Sequence, residues 1–208
     1  MFSVSTSRTY RSELREQQAE RTRQLIAAAA RVRFLEGGWS GTSVRSVAQD
    51  AGVSEATVYS VYGSKAGLAS SLLDAAEESA DVRRAVAELQ QHAGDPVAQL
   101  RAFVAFDRRL FELGGDVIRV IAEARRQHPE LGDAYVEGRG RGEAERGKVF
   151  ATWPADVWRP GVDLSAALDT YALLVSVENY AIATDERGWS ADKVEGWWHD
   201  TLVRLLLA

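Results

Sequence analysis

Several things are missing from these 208 residues. There is no cysteine, which excludes disulfides and thiolate metal sites as supports of the fold and suits a reducing compartment. No apolar run approaches the roughly 20 residues that a membrane helix needs. The longest, such as ALLVSV and LLLA, fall far short. The N-terminal stretch MFSVSTSRTYRSELREQQAE is polar and lacks the apolar core of a signal peptide. These absences point to a cytoplasmic protein. Strand alternation and hairpin signals are also absent, as are GxSxG, HExxH and P-loop motifs. His92, His128 and His199 are scattered and read as structural. No two carboxylates are spaced as an identifiable acid/base pair. The expectation is a protein that is not an enzyme and holds neither metal nor cofactor.

What is present is helical periodicity along nearly the whole chain. Patterns over 12–36, 42–51, 54–62, 64–91, 96–112, 116–127, 130–150, 163–184 and 190–206 predict an all-α fold of roughly nine helices. On the first, Leu25, Ile26, Ala29, Ala30 and Phe34 share a face, and Gly37-Gly38-Trp39 stops it. The segment WPADVWRPG at 153–161 reads as a loop, because its two prolines interrupt helical bonding. GRGRGEAERGK at 138–148 has GxGxG rather than GxGxxG and no preceding strand, so it reads as a loosely helical, solvated segment rather than a dinucleotide site.

Charge is uneven. Residues 1–68 carry nine Lys/Arg against six Asp/Glu, a net of +3, while residues 69–208 carry a net of −8. A basic front and an acidic back suggest that the front meets a polyanion.

Within the front, Val44, Val47, Ala48 and Ala51 give one apolar helical face. Thr42 or Ser43 is placed to cap that helix. Gly52 permits a sharp left-handed turn, Val53 plugs the corner, and Ser54 caps the next helix with Glu55 at its positive end. This is a helix, a tight turn and a helix. At 100° per residue, Val58, Val61 and Tyr62 of the second helix point one way, with Ser54 near them. Ala56 and Ser60 point the other way, flanked by Thr57 and Tyr59. A face this small and polar can sink into the DNA major groove. Phosphate contacts must then come from neighbours: Arg45, Lys65 and the arginines of residues 8–23. The predicted DNA-contacting set is Arg45, Ser54, Ala56, Thr57, Tyr59, Ser60 and Lys65. The tail bearing Arg8, Arg11 and Arg15 is either an arm toward DNA or an extension of the first helix; Glu13 and Glu16 blunt the first option.

Residues 22–68 resemble the N-terminal pattern of the TetR family of transcriptional regulators. Thr22, Arg23, Ile26, Ala29, Ala30 and Phe34 match its first helix, and Gly38-Trp39 the glycine-aromatic pair after it. Thr42, Ser43, Val44, Val47 and Ala48 match the second helix, and Ala51-Gly52-Val53-Ser54 the turn. Val58, Tyr59, Tyr62 and Lys65 match the recognition helix and the start of the fourth. ENYAIATDERGWS at 178–190, followed by a tryptophan-bearing helix, resembles a C-terminal type common in the family. There are departures: Val61 stands where His or Tyr is commoner, Arg33 where Leu is usual, and Tyr62 replaces Phe, a change expected to matter little.

The resemblance implies a helix-turn-helix domain at 20–68, preceded by a tail at 1–19. An effector-binding and dimerisation domain at 69–208 completes it, in a homodimer that binds a double-stranded operator and usually represses. Candidate lining for a pocket holding a small, largely apolar effector is Phe103, Phe106, Tyr135, Tyr171, Glu178 and Asn179. Glu178 and Asn179 interrupt an apolar run and need partners, whether ligand, second subunit or neighbouring helix. Leu168, Val175, Ile182, Trp197, Trp198, Leu202 and Leu205 recur at near-heptad or helical spacing and are the candidate dimer interface. The weakly basic second helix leaves another reading open, a helical adaptor that binds small molecules or proteins without sequence-specific DNA binding.

Overall fold

The computed structural model describes the backbone of residues 5–208, and side chains from Leu14 onward apart from positions 130 and 134. The chain divides into two compact units at Leu72 and Leu73. The described residues are helical almost throughout, with one isolated bridge between Trp158 and Leu207.

The first unit holds α1 (Ser5–Gly41), α2 (Val44–Asp50), α3 (Glu55–Tyr62) and the opening turns of α4 (Lys65–Ser79). Its core is Ile26, Ala30, Phe34, Val47, Val58 and Leu68, each at most 1% exposed. Leu25, expected on the buried face of α1, is instead 47% exposed; the inward stripe passes through Ile26, Ala30 and Phe34, at i, i+4 and i+8. Regular helix breaks at Gly38 (φ 63°, ψ −171°). The backbone turn there carries Trp39 back to stack on Phe34, ring centroids 5.4 Å apart.

The second unit continues α4 and adds α5 (Val82–Gln91), α6 (Pro96–Ala124), α7 (Pro129–Phe150), α8 (Leu164–Leu174), α9 (Val177–Ala181) and α10 (Ala191–Leu206). A single π turn at Ile182–Glu186 follows α9. Three predicted boundaries move. The pattern at 64–91 breaks at Asp81, which adopts a left-handed conformation (φ 60°) and caps α5 by accepting from the Arg84 N–H at 3.0 Å. The pattern at 163–184 breaks at Val175, where Ser176 caps α9. The patterns at 96–112 and 116–127 fuse into α6, because Gly114 is a point of close helix approach rather than a stop. A Cβ there would overlap the Ala76 methyl on α4.

The core of this unit gathers Leu100, Phe150, Tyr171, Trp198, Leu202 and Leu206, each at most 1% exposed. The buried indole of Trp153 donates to Gln99 at 2.7 Å. His199 is 4% exposed, with Nε2 3.2 Å from the Val97 carbonyl and Nδ1 3.3 Å from Arg101. No helix among the described residues is long and apolar enough to cross a membrane.

The residues expected at a dimer interface divide. Val175, Trp198 and Leu202 are core, at 6%, 0% and 0% exposed, and Leu168 packs against that core. Ile182, Trp197 and Leu205 are 44–45% exposed. At 100° per residue Trp197 lies about 100° round α10 from Trp198, while Leu205 lies beside Trp198 at the exposed edge of the buried stripe. Heptad-like spacing cannot separate the two sides of a helix when both carry apolar residues.

Candidate functional site

In the first unit, local chemistry fixes each turn. Ser43, not Thr42, caps α2: it accepts from the Ser46 N–H at 3.0 Å, while the Ser46 hydroxyl accepts from the Ser43 N–H at 3.1 Å. This reciprocal capping box satisfies two otherwise unpaired donors. The Thr42 hydroxyl is turned inward instead, 2.7 Å from the Arg33 carbonyl and 2.8 Å from that of Gly38. Gly52 (φ 67°) makes the turn. Ser54 caps α3 by accepting from the Thr57 N–H at 3.1 Å, and its hydroxyl lies 2.8 Å from that of Thr57.

The resulting α3 presents Ala56, Tyr59 and Ser60 to solvent beside exposed Ser54, with Thr57 half-buried. Val58 alone of α3 is fully buried, at 1%. Val61, expected on the inward side, is 37% exposed. At 100° per residue it sits at the edge of the buried stripe. Arg45 on α2 is 85% exposed, with Glu55 3.9 Å away. Such a pair contributes little and leaves the guanidinium available. Lys65 differs. Its ammonium donates to the Trp39 carbonyl and lies 4.0 Å from the centre of the Trp39 indole. This anchoring fixes the position of the charge at the start of α4. Arg15 is on the described part of α1; the Arg8 and Arg11 side chains lie outside the described residues.

The second unit contains a cavity of about 610 Å³. Phe103, Phe106, Leu110, Phe111, Val149 and Val175 supply much of its apolar wall, and Tyr135 and Glu178 also line it. Of the predicted pocket residues, Tyr171 and Asn179 are not on the wall. Tyr171 is fully buried behind it, and its phenol donates to Asp107 Oδ2 at 2.7 Å. Asn179 donates to the carbonyls of Leu173 and Leu174 at 2.8 and 3.0 Å. Its partner is thus the neighbouring helix end, whose last carbonyls lack intrahelical donors. Glu178 is exposed, so its charge is solvated.

Sequence reasoning missed Asp107 and Arg146. Asp107 is 7% exposed and lines the cavity. Arg146 Nη1 lies 3.4 Å from Asp107 Oδ2, and its guanidinium carbon is 4.6 Å from the Tyr171 ring centre. Burial pushes the Asp107 carboxyl up from its usual range, against the pull of Arg146 and the Tyr171 hydrogen bond. Burial, with Asp107 beside it, holds the Tyr171 phenol well above its ordinary value, so the phenol stays protonated and donates. The glycine-rich stretch in α7 is not simply solvated: Gly138, Arg139, Arg141, Gly142, Glu145 and Arg146 all border the cavity. Arg141 reaches α4, 3.4 Å from Asp74 and 3.3 Å from Glu77. A buried Asp amid helical apolar residues was the available signal, but its Arg partner is 39 positions away.

Residues 25–72 match the model of the bacterial regulatory proteins of the tetR family. Two solved structures share the architecture. NalD of Pseudomonas aeruginosa, named as the secondary repressor of the MexAB-OprM multidrug efflux pump, is 21% identical. It aligns over 92% of this chain and 98% of its own, with a TM-score of 0.68. The TetR-family regulator PfmR of Thermus thermophilus is 22% identical over 88% of this chain and 99% of its own, with a TM-score of 0.62. Residues 25–72 thus match the tetR-family domain, and the chain as a whole shares the fold of these two proteins, with a helix-turn-helix unit at its N-terminal end. No curated protein is a significant match to the chain by sequence.

Departures from the TetR pattern then acquire physical reasons. Arg33 forms a two-pronged ion pair with Asp50, at 2.5 and 2.8 Å, that ties α1 to the end of α2. The hydroxyl that distinguishes Tyr62 from phenylalanine is not idle. It donates to the Arg23 carbonyl at 3.0 Å and fastens α3 to α1. At Val61 nothing polar is exposed, so Lys65 and Arg45 are the cations nearest α3 in sequence.

Proposed function

We propose that this TetR-type chain is a cytoplasmic, non-catalytic repressor. It binds a near-palindromic operator as a homodimer and leaves it when a small, largely apolar effector enters the cavity of the second unit. The observation that carries the DNA-binding part is the exposed α3 ridge of Ala56, Tyr59 and Ser60, flanked by Ser54 and half-buried Thr57. Its short side chains allow close approach to base edges. The Ala56 and Thr57 methyls suit thymine, and Ser60 can bond a base edge. Arg45 and Lys65 supply phosphate contacts, which orient the helix without reading sequence.

The exposed apolar residues of the C-terminal helices, Leu173 at 77% with Ile182, Trp197 and Leu205, support a face shared with a second copy. Helix-turn-helix dimers read half-sites about one duplex turn apart, hence the near-palindrome. An effector releases the operator only if it binds the state that cannot hold DNA better than the state that can. The test is to select fragments from random duplex DNA with the purified full chain, at two salt concentrations. The expected result is an inverted-repeat motif whose binding weakens as salt rises. Recovery of no motif, with no retention on DNA at low salt, would favour a helical adaptor instead.

A further inference from the structure

The polar floor of the cavity carries more information than its apolar wall. Asp107 and Arg146 are both largely buried, with side chains 10% and 14% exposed. Both contacts that Asp107 receives, from Tyr171 and from Arg146, fall on the same oxygen, Oδ2. Among the described residues, Oδ1 accepts no hydrogen bond. Arg146 has five N–H donors, and a single 3.4 Å contact engages one of them. Neither residue has an atom that is both sealed from solvent and unpartnered, so the uncommitted Oδ1 and N–H groups open toward the cavity they line. Elsewhere along the lining, Arg141 is shared between Asp74 and Glu77, and Glu145 is paired with Lys148 at 2.6 Å.

The floor therefore offers one acceptor and several donors on adjacent, oppositely charged groups, with Arg139 of the same lining also acting on Asp107. An anionic head group drawn to Arg146 would sit against the Asp107 carboxylate. A cationic head group drawn to Asp107 would sit against the guanidinium. Like charges that close are repelled strongly where water is scarce. A purely apolar ligand would seal in Asp107 Oδ1 and the remaining Arg146 N–H groups without partners, which is also costly. An uncharged group with a hydrogen-bond acceptor and a donor on neighbouring atoms satisfies both at once.

We propose that the cavity takes an uncharged amphiphile whose polar end is an amide or an equivalent donor–acceptor pair, with its acceptor on Arg146, its donor on Asp107 Oδ1 and its apolar body along Phe103 and Phe106. This rests on the reading of the cavity as the effector site. Isothermal titration calorimetry of the full chain, without DNA, tests it with four probes of equal chain length: decanamide, decanoate, decylammonium and methyl decanoate. Decanamide is expected to bind tightest, with each of the others weaker by about tenfold or more. Asp107→Asn leaves Arg146 uncompensated and is expected to reverse the order in favour of decanoate. Arg146→Gln is expected to reverse it in favour of decylammonium, which provides a second route should one variant fail to fold. Decanoate or decylammonium binding the unaltered chain as tightly as decanamide overturns the proposal, and so does an absence of decanamide binding. Because no DNA is present, these outcomes are distinct from failure of the operator reading, which fragment selection reports separately.

Discussion

The two units reach their functional surfaces by different routes. In the first, the caps and turns that shape the ridge are fixed by residues within four positions of one another. Ser54 caps α3 through Thr57, Ser43 caps α2 through Ser46, and Gly52 turns between them. In the second, the floor of the cavity joins Asp107 on α6 to Arg146 on α7 and Tyr171 on α8, separated by 39 and 64 positions. A surface set by local rules can be read from a short window of sequence. A cavity set by packing between distant helices cannot, because nothing in the window names the partner.

The largest expected effect sharpens the contrast between neighbouring residues of α10. Trp198→Ala should destabilise the second unit by about 3–5 kcal/mol, as a core truncation does, while Trp197→Ala should cost about 1 kcal/mol or less in folding and weaken self-association. Urea unfolding and sedimentation equilibrium measure the two. Equal losses of folding stability would mean that the two sides of α10 are not distinct. Next is Gly114→Val, which forces a side chain into the crossing with Ala76 and should cost about 1–3 kcal/mol by overpacking. A wild-type denaturation midpoint would show that α4 and α6 do not approach so closely.

Smaller effects belong to the first unit. Ser54→Ala should cost about 1 kcal/mol by removing the cap, with Ser54→Gly milder. Amide exchange in α3 that is unchanged by the alanine would count against the cap. Lys65→Ala should lower the slope of log affinity against log salt by about one unit if the ammonium meets a phosphate. A changed thermal midpoint with an unaltered slope would assign it wholly to anchoring Trp39. The smallest effect is acidic. The Arg33 hydrogen bond holds Asp50 below its ordinary value. A lowered carboxyl contributes stability that is complete above the unfolded value of about 3.9 and is lost as pH falls through the folded one. The stability gap between wild type and Asp50→Asn should therefore close as pH drops below about 4. A gap independent of pH would mean that the ion pair is not what holds Asp50.

Fold class, helix patterns and the α3 ridge were legible because apolar spacing, caps and glycine turns act within a few residues. The errors have one origin. The patterns at 96–112 and 116–127 read as two helices because the close approach of Gly114 to Ala76 within one continuous helix is not visible in sequence. Val175, Trp198 and Leu202 looked like an interface because apolar periodicity states that a face is buried without stating against what. Asn179 needed a partner, as its place in an apolar run implied, and found it at the end of α8 rather than in a ligand. Asp107 and Arg146 went unnoticed since each alone is an ordinary helical charge.

The glycines of α7 have a thermodynamic consequence. Between Pro129 and Phe150 the helix contains Gly132, Gly138, Gly140, Gly142 and Gly147, each costing up to about 1 kcal/mol of intrinsic helicity relative to alanine. Such a segment holds its shape chiefly by leaning on other groups, among them the acids that Arg141 reaches and the carboxylate below Arg146. A guest in the chamber adds contacts to that same wall. Occupancy and helix order along α7 then rise together, so slower amide exchange in this one segment would announce that the chamber has been filled.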